Sequence, residues 1–198
     1  MQFPNYERKD PKSLEIKTRI FHTALSLIKE SGYDNITVRM ICDKAEVSTG
    51  MFYRSFCAKE DLLSFYFDKM QGDFTIQVKN TIDAMADLEE QLIAFYAWLC
   101  NFTVDLGLDF SRQFFSGKNI GLNTELFQNC VFSVTNRYLE KAVQNGFIIS
   151  DGRTPRDASK DMCVIVKGVI FDWLAHEGSC DMSEYCIGLL RRCLKSIL

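Results

Sequence analysis

From Leu14 onward, apolar residues recur at helical spacing almost without a break, and only 3 prolines occur in 198 residues. Proline removes a backbone donor and clashes with the preceding turn, so a chain this poor in it is free to be helical throughout. The period predicts helices over about 14–31, 37–45, 48–56, 59 to beyond 70, 88–106, 109–116, 124–144, 155–176 and 181 to the end. The one β-like run, Phe147-Ile148-Ile149, is too short to build a sheet. An all-α chain of nine helices is expected. Residues 1–13 are polar and charged and read as an arm, with no secretory signal and no apolar run of about 18–20 residues to cross a bilayer. A 13% aromatic content argues against disorder.

Several helix ends are written locally. Ser13, Thr37 and Ser48 are candidate N-caps, and Gly32 is a candidate C-terminal glycine. Thr154-Pro155-Arg156-Asp157 combines a capping hydroxyl, a proline at the first helical position and an acid near the positive dipole end. Asp181 with Glu184 resembles a capping box.

Charge is uneven. Residues 1–60 carry 10 basic and 8 acidic side chains, against 13 and 18 in residues 61–198. This mildly favours an N-terminal end that faces nucleic acid. The 8 cysteines mostly lie inside apolar helical patterns, and reduced, buried thiols in a cytoplasmic protein are expected. No C-x-x-C occurs and there are only 2 histidines, so no metal site and no cofactor is expected. G-x-S-x-G, H-E-x-x-H and a glycine-rich phosphate loop are absent, and the chain is not read as an enzyme.

The informative stretch is Thr37–Phe56, TVRMICDKAEVSTGMFYRSF. Two helices of fewer than ten residues flank a tight turn. Neither is stable alone, so they must brace each other and the first helix. That makes a three-helix module of helix-turn-helix size. Ile41, Cys42, Ala45, Val47, Phe52 and Phe56 supply its core. Ser48, Thr49, Gly50, Met51, Tyr53 and Arg54 are left to face outward as small, polar, aromatic or basic groups suited to a major groove.

This segment resembles the DNA-binding domain of TetR-family transcriptional regulators. Thr37-Val38-Arg39, Val47-Ser48, Tyr53-Arg54-Ser55-Phe56 and Lys59-Glu60-Asp61-Leu62 stand in the family's order and spacing. Cys42, Glu46 and Ala58 depart from the pattern. Glu46 stands where glycine is common, and Ala58 where a capping residue is usual. The resemblance implies a nine-helix architecture: an arm and helix-turn-helix DNA-binding domain over residues 1–60, then a ligand-binding and dimerisation domain over 61–198. It assigns DNA contacts to Thr37, Arg39, Ser48, Thr49, Gly50, Met51, Tyr53, Arg54 and Lys59, with Tyr53 and Lys59 holding phosphates. It implies a palindromic duplex operator as partner and a small-molecule effector.

Aromatics crowd the middle helices, and Phe95, Trp98, Phe102, Phe114 and Phe127 are the candidate lining for an apolar or aromatic effector. The last two helices are apolar on more than one face, which calls for a second subunit. Val166, Val169, Ile170, Trp173, Leu189, Leu190 and Cys193 are the candidate homodimer contacts. A homodimer also sets two reading heads about 34 Å apart. The expected function is a ligand-released repressor, effector binding moving the fourth helix and with it the heads. Two alternatives stay open: a regulator controlled by cysteine oxidation, and an all-α ligand carrier or enzyme without DNA binding.

Overall fold

The computed structural model describes residues 11–74, 78–119, 121, 124 and 127–197. Among these the chain forms α-helices and short turns with no strand. The helices are α1 (Pro11–Ser31), α2 (Val38–Ala45), α3 (Thr49–Ser55), α4 (Asp61–Asp73), α5 (Lys79–Asp83), α6 (Leu88–Leu106), α7 (Leu108–Phe114), α8 (Ser133–Gln144), α9 (Pro155–Ala175) and α10 (Met182–Ile197). A π-helical turn, Phe127–Phe132, leads into α8. Among the described residues there are ten α-helices where nine are expected, the separate short α5 following α4. No single described helix is long and apolar enough to cross a membrane.

The predicted caps form where a side chain meets a free amide three residues on. The Thr37 hydroxyl accepts from Met40 N at 3.2 Å, and the Ser48 hydroxyl from Met51 N at 3.2 Å. Thr154 and Asp157 complete a capping box ahead of α9. Asp181 accepts from Glu184 N at 2.9 Å. Gly32 ends α1 with φ 82°. Two starts differ from expectation. Residues 11–13 already belong to α1, so Ser13 is helical and is not its N-cap. α4 opens at Asp61, whose carboxylate accepts from Cys57 N at 2.7 Å. That bond does at the helix entry what Ala58 has no side chain to do.

The chain divides into two compact units, Met1–Gly72 and Asp73–Leu198. In the first, α1 packs on α2 and α3. Ile20, Phe21, Ala24 and Ile28 from α1 meet Ile41, Ala45, Phe52 and Phe56, all buried. The rings of Phe21 and Phe56 both meet Phe65 edge-on, at 5.2 and 5.6 Å. In the second, α6 runs through the core and packs most extensively on α10, with α8 and α9 alongside. Tyr96 of α6 is fully buried and its hydroxyl pairs with Thr135 at 2.9 Å.

Candidate functional site

α2 and α3 are joined by a three-residue turn, Glu46-Val47-Ser48. Glu46 takes the left-handed conformation, φ 55° and ψ 47°, and its amide closes on Cys42 O. Val47 N donates to the same carbonyl at 3.0 Å. A glutamate here costs about 1 kcal/mol relative to glycine. The turn is thus built, at a local strain, without the usual residue. Phe52 locks α3 from below, fully buried, with its ring 5.6 Å from that of Phe56.

With Phe52 turned inward, Ser48, Thr49, Gly50, Tyr53 and Arg54 are exposed, and Met51 is half-buried. Tyr53 is 56% exposed, a large value for an aromatic side chain. Thr37 and Arg39 are exposed at the start of α2, and Arg39 lies 4.0 Å from Asp43 on the same helix. Met40 is exposed beside them. An isolated methionine in an amphipathic helix carries no outward signal in the sequence. Lys44 ties α2 to α1 through Glu30 at 2.7 Å, and that bond holds the Glu30 carboxyl below its usual range.

Lys59, expected to hold the DNA backbone as a point charge, also makes bonds within the chain. Its ammonium donates to Tyr33 O at 2.9 Å and to Ile36 O at 3.2 Å, and stands 4.4 Å from the Tyr33 ring centre. It clamps the loop that leads into α2. Burial, then the charges of Glu60 and Asp34, pushes the Tyr33 phenol up to about 12.

In the second unit, Phe95, Trp98 and Phe102 of α6 come together. Trp98 stacks on Phe102 at 5.3 Å and on Phe95 at 6.4 Å, and Phe74 closes the group against Phe95 and Trp98. Phe74 lies outside α6, and helical spacing alone does not place it in this group. Phe114 is buried against Phe115 at 5.0 Å, and Phe127 is buried beneath the Lys167 ammonium at 4.5 Å. A cleft of about 720 Å³ opens elsewhere, at the ends of α6, α8 and α10, lined by Met85, Gln91, Tyr138, Lys141, Phe147 and Lys195 among others. None of the five expected aromatics lines it.

The expected dimer contacts need correction. Val166, Val169, Ile170, Trp173 and Leu190 are buried in the chain's own core, none more than 5% exposed. Leu189 and Cys193 are half-buried. The outward face of α9 carries Val164 (67% exposed), Gly168, Phe171 (74%) and Ala175 instead. On α10 it carries Tyr185, Gly188, Leu189 and Arg192. α9 carries apolar residues on more than one face, and the core takes the sector of Met162, Val166, Val169, Ile170 and Trp173.

None of the eight cysteines is in a disulfide. Cys42, Cys100, Cys130, Cys163 and Cys186 are buried, and Cys57 and Cys180 are exposed. A hydrogen bond with Cys186, then burial, pushes the Cys100 thiol far up; burial pushes Cys163 up to about 11. Thiols held protonated are poor nucleophiles, which weakens oxidation of the core cysteines as a trigger.

Residues 20–64 match the model of the bacterial regulatory proteins of the tetR family. The chain is 26% identical over 137 residues to the HTH-type transcriptional regulator HbdR of Aromatoleum sp. strain CIB, a match that covers 68% of this chain and 59% of that relative. It superposes on the fatty acid degradation regulator FadR of Bacillus halodurans with a TM-score of 0.73 at 20% identity, covering 95% and 96% of the two chains. It superposes on the transcriptional regulator FadR of Bacillus subtilis, solved in complex with stearoyl-CoA, with a TM-score of 0.71 at 21% identity, covering 91% and 99%. Its N-terminal segment 20–64, with the capped α2–turn–α3 unit, is thus similar to the tetR family of bacterial regulatory proteins, and its fold over nearly the whole chain is that of solved transcriptional regulators.

Proposed function

We propose that the chain is a cytoplasmic, homodimeric transcriptional repressor that binds a palindromic operator and leaves it when a long-chain fatty acyl-CoA binds. The observation that carries the DNA-binding part is the exposed face of α3. Ser48, Thr49, Gly50, Tyr53 and Arg54 stand outward on a helix anchored by Phe52, inside the segment that matches the tetR model. Thr37 and Arg39 at the start of α2 suit phosphate contact, as does the Tyr53 hydroxyl. Arg54 has the fork to take either a phosphate or a guanine edge. Lys59 serves by fixing the entry to α2, and its remaining proton suits a phosphate.

The second subunit is assigned to the outward face of α9 and α10, centred on Val164, Phe171, Tyr185 and Leu189. Three turns of a helix with Val, Gly, Phe and Ala outward are an uncommonly apolar surface for a monomer. A two-fold axis through such a face buries it on both protomers at once.

The acyl-CoA assignment is supported by the fold shared with the stearoyl-CoA complex and by the apolar lining that Phe74, Phe95, Trp98 and Phe102 offer to an acyl chain. α4 carries the chain from the first unit into the second, since the division falls at Gly72. An effector that favours one disposition of α4 shifts the population between DNA-competent and incompetent forms. The test is release of a fluorescent operator duplex by stearoyl-CoA, beside CoA and stearate alone. Release by the thioester only is expected. Retention of the duplex at saturating thioester overturns the effector assignment.

A further inference from the structure

We infer that the cleft at the ends of α6, α8 and α10 binds a small zwitterion with an apolar side chain, a free amino acid or a short peptide. The cleft is separate from the aromatic group of Phe95, Trp98 and Phe102, none of which lines it, so the site is independent of the effector proposed above. Gln91 of α6 is the key residue. It is only 8% exposed, yet it lines the cleft. Its Nε2 donates to Ile82 O at 3.2 Å and to Met85 O at 2.8 Å. An amide oxygen cannot serve two carbonyls, so these bonds fix which way the amide lies. Oε1 is left turned from them, and among the described residues nothing donates to it. Oε1 is not sealed in the core, and the open space it meets is the cleft. A nine-tenths buried acceptor held in one orientation selects a ligand that brings a donor.

The wall around it carries both signs of charge. Lys141 of α8 and Lys195 of α10 are exposed there, as is Asp87 at the start of α6, and Glu89 is half-buried. Asp87 uses one oxygen to cap Glu90 N at 2.8 Å. Among the described residues no ion pair joins either lysine to either carboxylate. Opposite charges that share a cleft without pairing are complementary to a ligand that carries one of each. The ligand carboxylate faces the lysines, and its ammonium donates to Gln91 Oε1 with a carboxylate of the wall nearby. Met85 and Phe147 give the apolar side chain a surface. At about 720 Å³ the cleft has the size of a small-molecule site and holds two residues as readily as one.

The experiment is calorimetric titration of the full chain with L-leucine and leucyl-leucine, beside isocaproate and isoamylamine, which carry one charge each. At least one zwitterion is expected to bind, and the tighter of the two tells the free amino acid from the peptide. Each singly charged analogue should bind about tenfold more weakly, the size of one lost charge-assisted hydrogen bond. The double variant Lys141→Gln, Lys195→Gln should keep its Tm and lose about tenfold in affinity for the zwitterion. Binding of neither zwitterion at millimolar concentration overturns the inference. So does equal binding of isocaproate, which leaves Gln91 Oε1 without a role, or of isoamylamine, which does the same for the lysines. Undiminished binding by the double variant places the site elsewhere and also overturns it. The ligand series on the wild-type chain decides even where the variant folds poorly.

Discussion

The Lys59 ammonium donates to the carbonyl of Tyr33 at 2.9 Å, across 26 residues, and to that of Ile36 at 3.2 Å. The two bonds fix the segment that delivers Thr37 to the start of α2. Lys59→Met keeps the stem and removes the donors, leaving two carbonyls short of a partner. A loss of about 1–3 kcal/mol in urea unfolding is expected. Unchanged stability with weakened DNA binding returns Lys59 to the role of a surface point charge.

Tyr33 itself predicts a pH dependence. Its hydroxyl is buried with no hydrogen-bond partner, and its folded pKa is raised to about 12. A raised folded pKa contributes stability that is fully present below the unfolded value near 10 and is lost as pH rises through about 12. Tyr33→Phe is expected to be neutral or stabilising at pH 7, since it deletes an orphaned hydroxyl. It should also reduce the loss between about pH 10 and 12. Tyr138, pushed up to about 12 by burial and then by its bond to Asp83, keeps part of that loss in place. Denaturation profiles of the two proteins across this range decide the matter.

Ser48 separates folding from reading. Ser48→Ala removes the cap on Met51 N and should cost about 0.5–2 kcal/mol. Ser48→Asp restores a capping oxygen but sets a negative charge toward phosphates. The expected pattern is near wild-type Tm for the aspartate with DNA binding lost. An aspartate variant that binds DNA normally removes Ser48 from the interface.

Phe171 and Val166 lie on opposite sides of α9, one 74% exposed and the other fully buried. Phe171→Glu should yield a folded monomer in sedimentation. Val166→Ala should stay dimeric and lose about 1–3 kcal/mol, mainly from the cavity. A dimeric Phe171→Glu protein places the subunit interface elsewhere.

These helices show where a sequence stops being legible. The caps at Thr37, Ser48 and Thr154 were readable because hydroxyl and amide are three residues apart and no distant group is involved. The outward set on α3 was readable because Phe52 and Phe56 claim the inner face. α9 offered no such asymmetry: Val164, Val166, Val169, Ile170 and Phe171 circle the axis, and only the packing of α8 and α10 decides which sector is covered. Five of the seven expected dimer residues, Val166, Val169, Ile170, Trp173 and Leu190, therefore fall in the core. The bonds that Lys59 makes within the chain are illegible for a related reason, since its partners lie more than 20 residues away in a loop with no pattern. Phe74 joined the α6 aromatics through a contact that helical spacing does not encode.

The most direct test of a paired reading head is the salt dependence of operator binding by the purified chain. With about 6–8 phosphate contacts per dimer, the log–log slope should lie near −5 to −7 on an enriched inverted repeat. A single half-site should bind far more weakly. A flat salt response, or equal binding to the half-site and the repeat, contradicts the account.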